Sequence, residues 1–165
     1  MMNVVLIAHN LRSTHNVGSL LRTAEGLGVK KIYFTGYTPY PLIENDSRLP
    51  HESAKLSKQI HKTALGAENS ILWEQNSDIE TVIEELKEQS YSITGLEQLP
   101  NSTKLNDYRP PKNVALILGR EVEGLEPEVA KLCNTIIEIP MQGKKESFNV
   151  VQAAAIALYD MMHRE

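Results

Sequence analysis

The sequence predicts an α/β fold, with a mostly parallel sheet carrying helices on both faces. Two patterns predict it. Short apolar runs recur along the chain, and several lack the alternation of a half-buried strand, so they read as strands covered on both sides. Segments of helical periodicity separate them, and strand–helix alternation calls for parallel crossovers. The length of 165 residues corresponds to one domain, residues 1–165, with enough chain to bury a core.

The elements follow in order. "VVLIA" near the N-terminus is the first strand; it has no basic segment before it and is too short for a signal peptide. Val17, Leu20, Leu21, Ala24 and Leu27 then line one face of a first helix. "KIYFTG" is the second strand. Residues 36–51, "GYTPYPLIENDSRLPH", are too rich in Pro and polar residues for the core and read as a long loop, functional or mobile. Residues 52–64 form a basic second helix, and "SILW" a third strand. Ile79, Val82, Ile83 and Leu86 give a third helix its inner face, with Glu80, Glu84, Glu85 and Lys87 outside. "YSITG" and "VALILG" are further strands. Pro127 opens a short fourth helix, "TIIEIP" is the last strand, and a fifth helix runs from about Asn149 to Met162.

Composition narrows the function. Hydrophobic residues make up 41% and charged residues 23%, as in ordinary globular proteins. No apolar run approaches the roughly 18 residues of a membrane span. Cys133 is the sole cysteine, so no intrachain disulfide forms; its apolar context predicts a buried structural thiol, and the cytosol is the natural compartment. The histidines and the cysteine show no metal-ligand spacing. The net charge is −4, yet residues 1–66 hold eight Lys or Arg against four Asp or Glu, and residues 67–165 hold nine against seventeen. Such asymmetry is either an uneven solvated surface or the footprint of a polyanion.

In an open parallel sheet, ligands bind beyond the carboxyl ends of the strands. Three loops there have unusual composition. In "HNLRSTHNVGSLLRTAEGLGV", Asn16 can cap the first helix, and Arg22 stands off the apolar stripe beside Gly18. In "LILGREVEGLEPEV", Gly119 and Gly124 permit close backbone approach, and Glu121 can order a neighbouring loop; the spacing is not a dinucleotide fingerprint. In "EIPMQGKKESFNVVQ", Pro140 stops the strand, Gly143 permits a reversal, and Ser147 can serve as an N-cap, with Asn149 two positions on. A simple cap does not explain so long a polar turn.

Jointly these loops resemble the three motifs of the SpoU (TrmH-like) branch of the SPOUT RNA methyltransferases. The matching residues are Asn16, Arg22 and "RTAEGLGV" in the first, "GREVEGL" in the second, and "IPMQGKKESFNVVQAAAIALYD" in the third. "KTALGAENSI" also matches, and the likeness runs from Val4 to Asp160. Phe148 departs from it, standing where Leu or Met is more usual. The resemblance does not include the extra N-terminal RNA-binding domain of some members, and the expectation is a minimal catalytic unit.

The resemblance implies a C-terminal deep trefoil knot, a homodimer with active sites near the subunit boundary, and S-adenosylmethionine as cofactor. By motif, Ile93 or Thr94, Gly119, Ile139, Met141 and Ser147 would line the cofactor site. Asn16, Arg22, Glu121, Ser147 and Asn149 would surround a reacting ribose 2′-hydroxyl and its phosphate. A guanidinium rarely gives up its proton, so Arg22 is expected to act through charge, not as a base. The basic half would supply RNA contacts from Arg12, Arg48, Lys55, Lys58, His61 and Lys62. The expected activity is ribose 2′-O-methylation, of tRNA in preference to rRNA. The alternatives are a knotted RNA-binding module without catalysis, or an S-adenosylmethionine enzyme acting on a base.

Overall fold

The computed structural model describes residues 2–164. Seven strands form one sheet: β1 (Asn3–His9), β2 (Lys31–Thr35), β3 (Trp73–Asn76), β4 (Ser92–Leu96), β5 (Thr103–Lys104), β6 (Asn113–Leu118) and β7 (Thr135–Glu138). Their spatial order is β3-β2-β1-β6-β4-β7-β5, and every pairing is parallel. The helices are α1 (Thr14–Gly26), α2 (Pro50–Ala64), α3 (Ile79–Glu88), α4 (Pro127–Leu132) and α5 (Val150–His163).

Successive strand residues point to opposite faces, and the core divides accordingly. Val4, Leu6 and Ala8 of β1, with Leu116 of β6 and Ile137 of β7, pack against α1, α2 and α5. Val5 and Ile7, with Ala115 and Ile117, pack against α3 and against Val129 of α4. Both faces are therefore apolar, which is why β1 and β6 read as continuous hydrophobic runs. The sequence expectation of a parallel sheet between two helical layers holds.

Some boundaries differ. The third strand begins at Trp73, not at Ser70, because Ile71 drops into the core beneath α1 and α2 before the chain pairs with β2. The two-residue β5 had no hydrophobic signature; it exists because Thr103 and Lys104 pair along β7. Helix α1 is capped by Ser13, whose side chain accepts from the Asn16 amide, so Asn16 is not the cap. Helix α5 is capped by Asn149, which accepts from Val151 N at 2.9 Å, so Ser147 is not the cap either. In both cases a polar side chain near a helix start is released for other partners.

The threading at the β7 edge positions the site. β7 lies between β4 and β5, which are neighbours in sequence but not in the sheet. The chain between β4 and β5 therefore crosses over β7, and is tied to it: Glu97 N donates to Ile137 O at 2.9 Å, and Ser102 Oγ donates to Glu138 Oε2 at 2.5 Å. After β7 the chain runs on through 139–149 into α5, which packs on the sheet face that carries α1.

Candidate active site

All strands are parallel, so their carboxyl ends share one edge, and the loops leaving β1, β4, β6 and β7 meet there. The loop after β6 is a tight reversal. Arg120 N donates to Gly124 O, and Gly124 N to Arg120 O, both at 3.1 Å. Glycine is required at its two ends. A Cβ on Gly119 would lie 2.5 Å from the Gly124 carbonyl carbon, and Gly124 has φ +73°, with its missing Cβ facing a Glu97 carboxylate oxygen at 1.9 Å. Glu97 fills that space, accepting from Leu125 N at 2.8 Å and from Gln98 N at 2.7 Å.

Glu121, carried at the tip, reaches the first loop. Its Oε1 accepts from the amides of Ser13 at 3.0 Å and Arg12 at 3.1 Å, and from Asn16 Nδ2 at 3.2 Å. Burial raises the pKa of this carboxyl, but the hydrogen bonds from Ser13 and Arg12 outweigh it and hold the group below the usual carboxylate range. Asn16 Oδ1 in turn accepts from Asn149 Nδ2 at 3.2 Å. One side-chain chain thus joins the three loops.

Beside it lies an open cleft with about 700 Å³ of empty space. Leu96, Leu118, Ile139, Val150 and Phe148 provide apolar wall, and Gly119 and Ser147 also line it. Four carboxylates, Glu97, Glu121, Glu123 and Glu138, face one arginine, Arg120, and that arginine is paired with Glu126. The field favours a cationic guest over a polyphosphate.

The sequence candidates distribute as follows. Gly119, Ile139, Ser147 and Glu121 line the cleft, with Asn16 and Asn149 beside it. Ile93 and Thr94 are fully buried within β4: Ile93 packs toward α3, and Thr94 Oγ1 bonds the Tyr108 hydroxyl at 2.9 Å. The strand reaches the cleft two residues later, through Leu96, Glu97 and Gln98. Met141 is half-buried and is not among the lining residues. Arg22 is exposed and lines a different groove, between α1 and α5, with Ser19, Ile156, Tyr159 and Asp160. From Asn16 it is about 9 Å along the helix and two-thirds of a turn around it.

The basic candidates also separate. Lys55, Lys58 and Lys62 are exposed, and their i, i+3, i+7 spacing sets them on one face of α2. Arg12 is exposed and pairs with Glu123 at 3.0 Å; His61 meets Glu68 at 2.5 Å. Arg48 is spent internally: it donates to Tyr40 O, Pro41 O and Asp46, and its guanidinium lies 3.7 Å from the centre of the Tyr40 ring. Sequence reasoning also missed a buried network behind the cleft. Asn10, at φ +56°, donates from Nδ2 to His9 Nε2 and to Glu126 Oε1, both at 3.0 Å, while His9 Nδ1 meets Thr35 Oγ1 at 2.9 Å. Burial, then the charge of Arg120, lowers the His9 pKa to about 4, so the ring is neutral at pH 7. The adjacent His-Asn pair at a strand end was its one sequence signal.

Comparison with known proteins supports the same elements. A Staphylococcus haemolyticus protein assigned to the TrmH family of tRNA/rRNA methyltransferases is 28% identical over 163 residues, 99% of this chain and 59% of that protein. The chain thus spans under two-thirds of that relative's length. The fold matches the SpoU methyltransferase AviRb from Streptomyces viridochromogenes in complex with AdoMet, at TM-score 0.81 and 19% identity, over 97% of this chain and 57% of that one. It also matches a structure described for 2-OH methylation of C/U34 on tRNA, at TM-score 0.77 and 19% identity, over 97% and 94%. The expected knotted α/β fold is the fold of these neighbours. The sequence profile of the SpoU rRNA Methylase family matches residues 3–159, and the chain belongs to that family.

Proposed function

We propose that the chain transfers a methyl group from S-adenosylmethionine to a ribose 2′-hydroxyl of RNA, with tRNA as the substrate. The observation that carries this reading is the Glu121–Asn16–Asn149 bridge beside an acidic, partly apolar cleft. The cleft's residues suit the cofactor: apolar walls for the adenine, backbone edges around Gly119 and Ile139, and carboxylates that match its positive charge. Bound S-adenosylmethionine supplies a methyl on a sulfonium, already activated for attack.

The chain's residues then position and stabilise. Glu121 holds the first loop closed through the Ser13 and Arg12 amides, and so presents the Asn16 and Asn149 amide groups side by side. Ser147, exposed at the rim, is free to donate because Asn149 caps the helix. Arg22 points away from its own cleft, so its charge acts on the partner's reaction. The groove it lines, with exposed Ile156 and Tyr159, seats a second copy of the chain and brings Arg22 to the neighbouring cleft. There the guanidinium binds the phosphate beside the target and lowers the energy of the forming alkoxide, whose proton leaves to a phosphate oxygen or to water while methyl transfer leaves the sulfonium as a thioether. Lys55, Lys58 and Lys62 bind the RNA backbone.

Incubation of the purified protein with methyl-labelled S-adenosylmethionine and separate tRNA and rRNA pools, followed by nucleoside analysis, tests this. Label is expected in 2′-O-methylnucleosides of the tRNA pool. Label in a base, in rRNA alone, or in no RNA overturns the reading as stated.

A further inference from the structure

The loop between β2 and α2 is held more firmly than a connecting segment needs. Gly36 has φ +63°, and a Cβ there would lie 1.8 Å from Asn10 Oδ1. That same oxygen accepts from Tyr37 N at 3.1 Å. Thr38 Oγ1 accepts from Leu11 N at 3.0 Å and donates to Ala8 O at 2.9 Å. Arg48, closing the far end, binds two carbonyls and Asp46 and lies over Tyr40. Ordering so many residues of a Pro-rich surface loop costs conformational entropy, and the loop gives only Tyr40 to the edge of the core.

What this rigidity presents is Tyr37. It is 52% exposed, and its ring stacks on no other aromatic ring among the described residues. It lines a groove with Arg12, Pro39, Tyr40 and Leu56. Arg12 is exposed, with its charge shared by Glu123. Arg12 links the groove to the candidate active site, because its amide is one of the two that Glu121 grips. Leu56 belongs to α2; the exposed Lys55, Lys58 and Lys62 lie about 100–160° around that helix from it, outside the groove. A free phosphate would not need the tyrosine, and a flat uncharged ligand would not need the Arg12 guanidinium beside it. An unpaired nucleobase, flat and flanked by phosphates, uses both, by stacking on aromatic and guanidinium planes.

We propose that Tyr37 and Arg12 form a stacking platform for one unpaired nucleobase of the RNA, next to the nucleotide whose ribose is methylated. The proposal rests on the RNA-methylation reading for its ligand, but its test is a binding measurement and does not depend on turnover. Stacking energy is carried by the ring face, not by the hydroxyl, and releases no counter-ions. The two residues therefore leave different signatures.

Filter binding of unfractionated tRNA and rRNA pools to the wild type and to Tyr37→Ala, Tyr37→Phe, Tyr37→Leu and Arg12→Ala, over a range of salt, separates them. Tyr37→Ala and Tyr37→Leu are expected to weaken tRNA binding roughly tenfold with an unchanged salt slope, and Tyr37→Phe to stay within about twofold. Arg12→Ala is expected to reduce the slope by about one. Calorimetric uptake of S-adenosylmethionine should be the same in every Tyr37 variant, which excludes misfolding as the cause. Wild-type affinity in Tyr37→Ala for both pools overturns the platform, as does a loss in Tyr37→Phe equal to that in Tyr37→Ala. A wild type that methylates no RNA, while Tyr37→Ala binds more weakly than it, overturns the methylation reading and the platform's placement beside a methylated ribose, and supports Tyr37 as a base-stacking surface. A wild type that binds neither pool overturns both.

Discussion

Glu121 Oε1 lies 3.0 Å from the Ser13 amide nitrogen, across 108 residues of sequence. The same oxygen takes bonds from Arg12 N and Asn16 Nδ2. One carboxylate therefore fixes the polar end of a loop whose apolar anchor is the buried Leu11. Glu121→Gln keeps the size but replaces one acceptor oxygen by a donor, which then faces amide donors. Initial methyl-transfer rates are expected to fall at least tenfold, since bonds to charged groups contribute roughly 1.5–3 kcal/mol. A rate within twofold of wild type would mean that the bridge is not needed.

Arg22 and Asn149 belong to different clefts if the working unit is a dimer. Arg22→Ala and Asn149→Ala are each expected to be inactive alone. Subunits mixed, dissociated and reassembled at equal amounts should recover about a quarter of wild-type activity, because half of the dimers then carry one intact site. No recovery, with mixed dimers verified by mass spectrometry, would place both residues in the service of one chain.

Gly18 sets how closely α1 approaches α2. Replacing a mid-helix glycine by alanine ordinarily stabilises by roughly 1 kcal/mol. Here a Cβ would lie 2.2 Å from both Ile60 O and Thr63 Oγ1, and the carbonyl belongs to a helix that cannot yield locally. Overpacking costs about 1–3 kcal/mol, so Gly18→Ala is expected to be a net loss in urea unfolding. Gly26, in the same helix, has open space around its missing Cβ. Gly26→Ala is the control and is expected to gain stability.

His9 gives a pH signature. Its pKa is lowered from 6.5 to about 4, chiefly by burial and then by Arg120. The unfolded chain takes the proton first, so stability is complete above pH 6.5 and is lost as pH falls toward 4. The size is roughly 3 kcal/mol, from about 1.4 kcal/mol per pKa unit. His9→Gln, which cannot titrate, should show a smaller loss between pH 7.5 and 4.5 in chemical unfolding. An identical loss would mean that His9 is already ionised when folded, or free of its network.

The sequence by itself determined the layered architecture and the family, because both rest on local signals. Apolar periodicity marked β1, β6 and α3, and Gly119, Glu121 and Asn149 stand at short, recognisable spacings. It could not say which polar residue near a helix start is the cap: Ser13 and Asn149 are, and Asn16 and Ser147 are released to the site. Nor could composition distinguish an arginine bound inside its own loop, Arg48, from an exposed one paired across loops with Glu123, Arg12. The tertiary structure decided these points, along with the register that puts Leu96 at the cleft while Ile93 and Thr94 stay in the sheet. The reason is physical. Periodicity is set by each residue's own backbone and close neighbours, whereas a side chain's partner is chosen by packing between segments that lie a hundred residues apart.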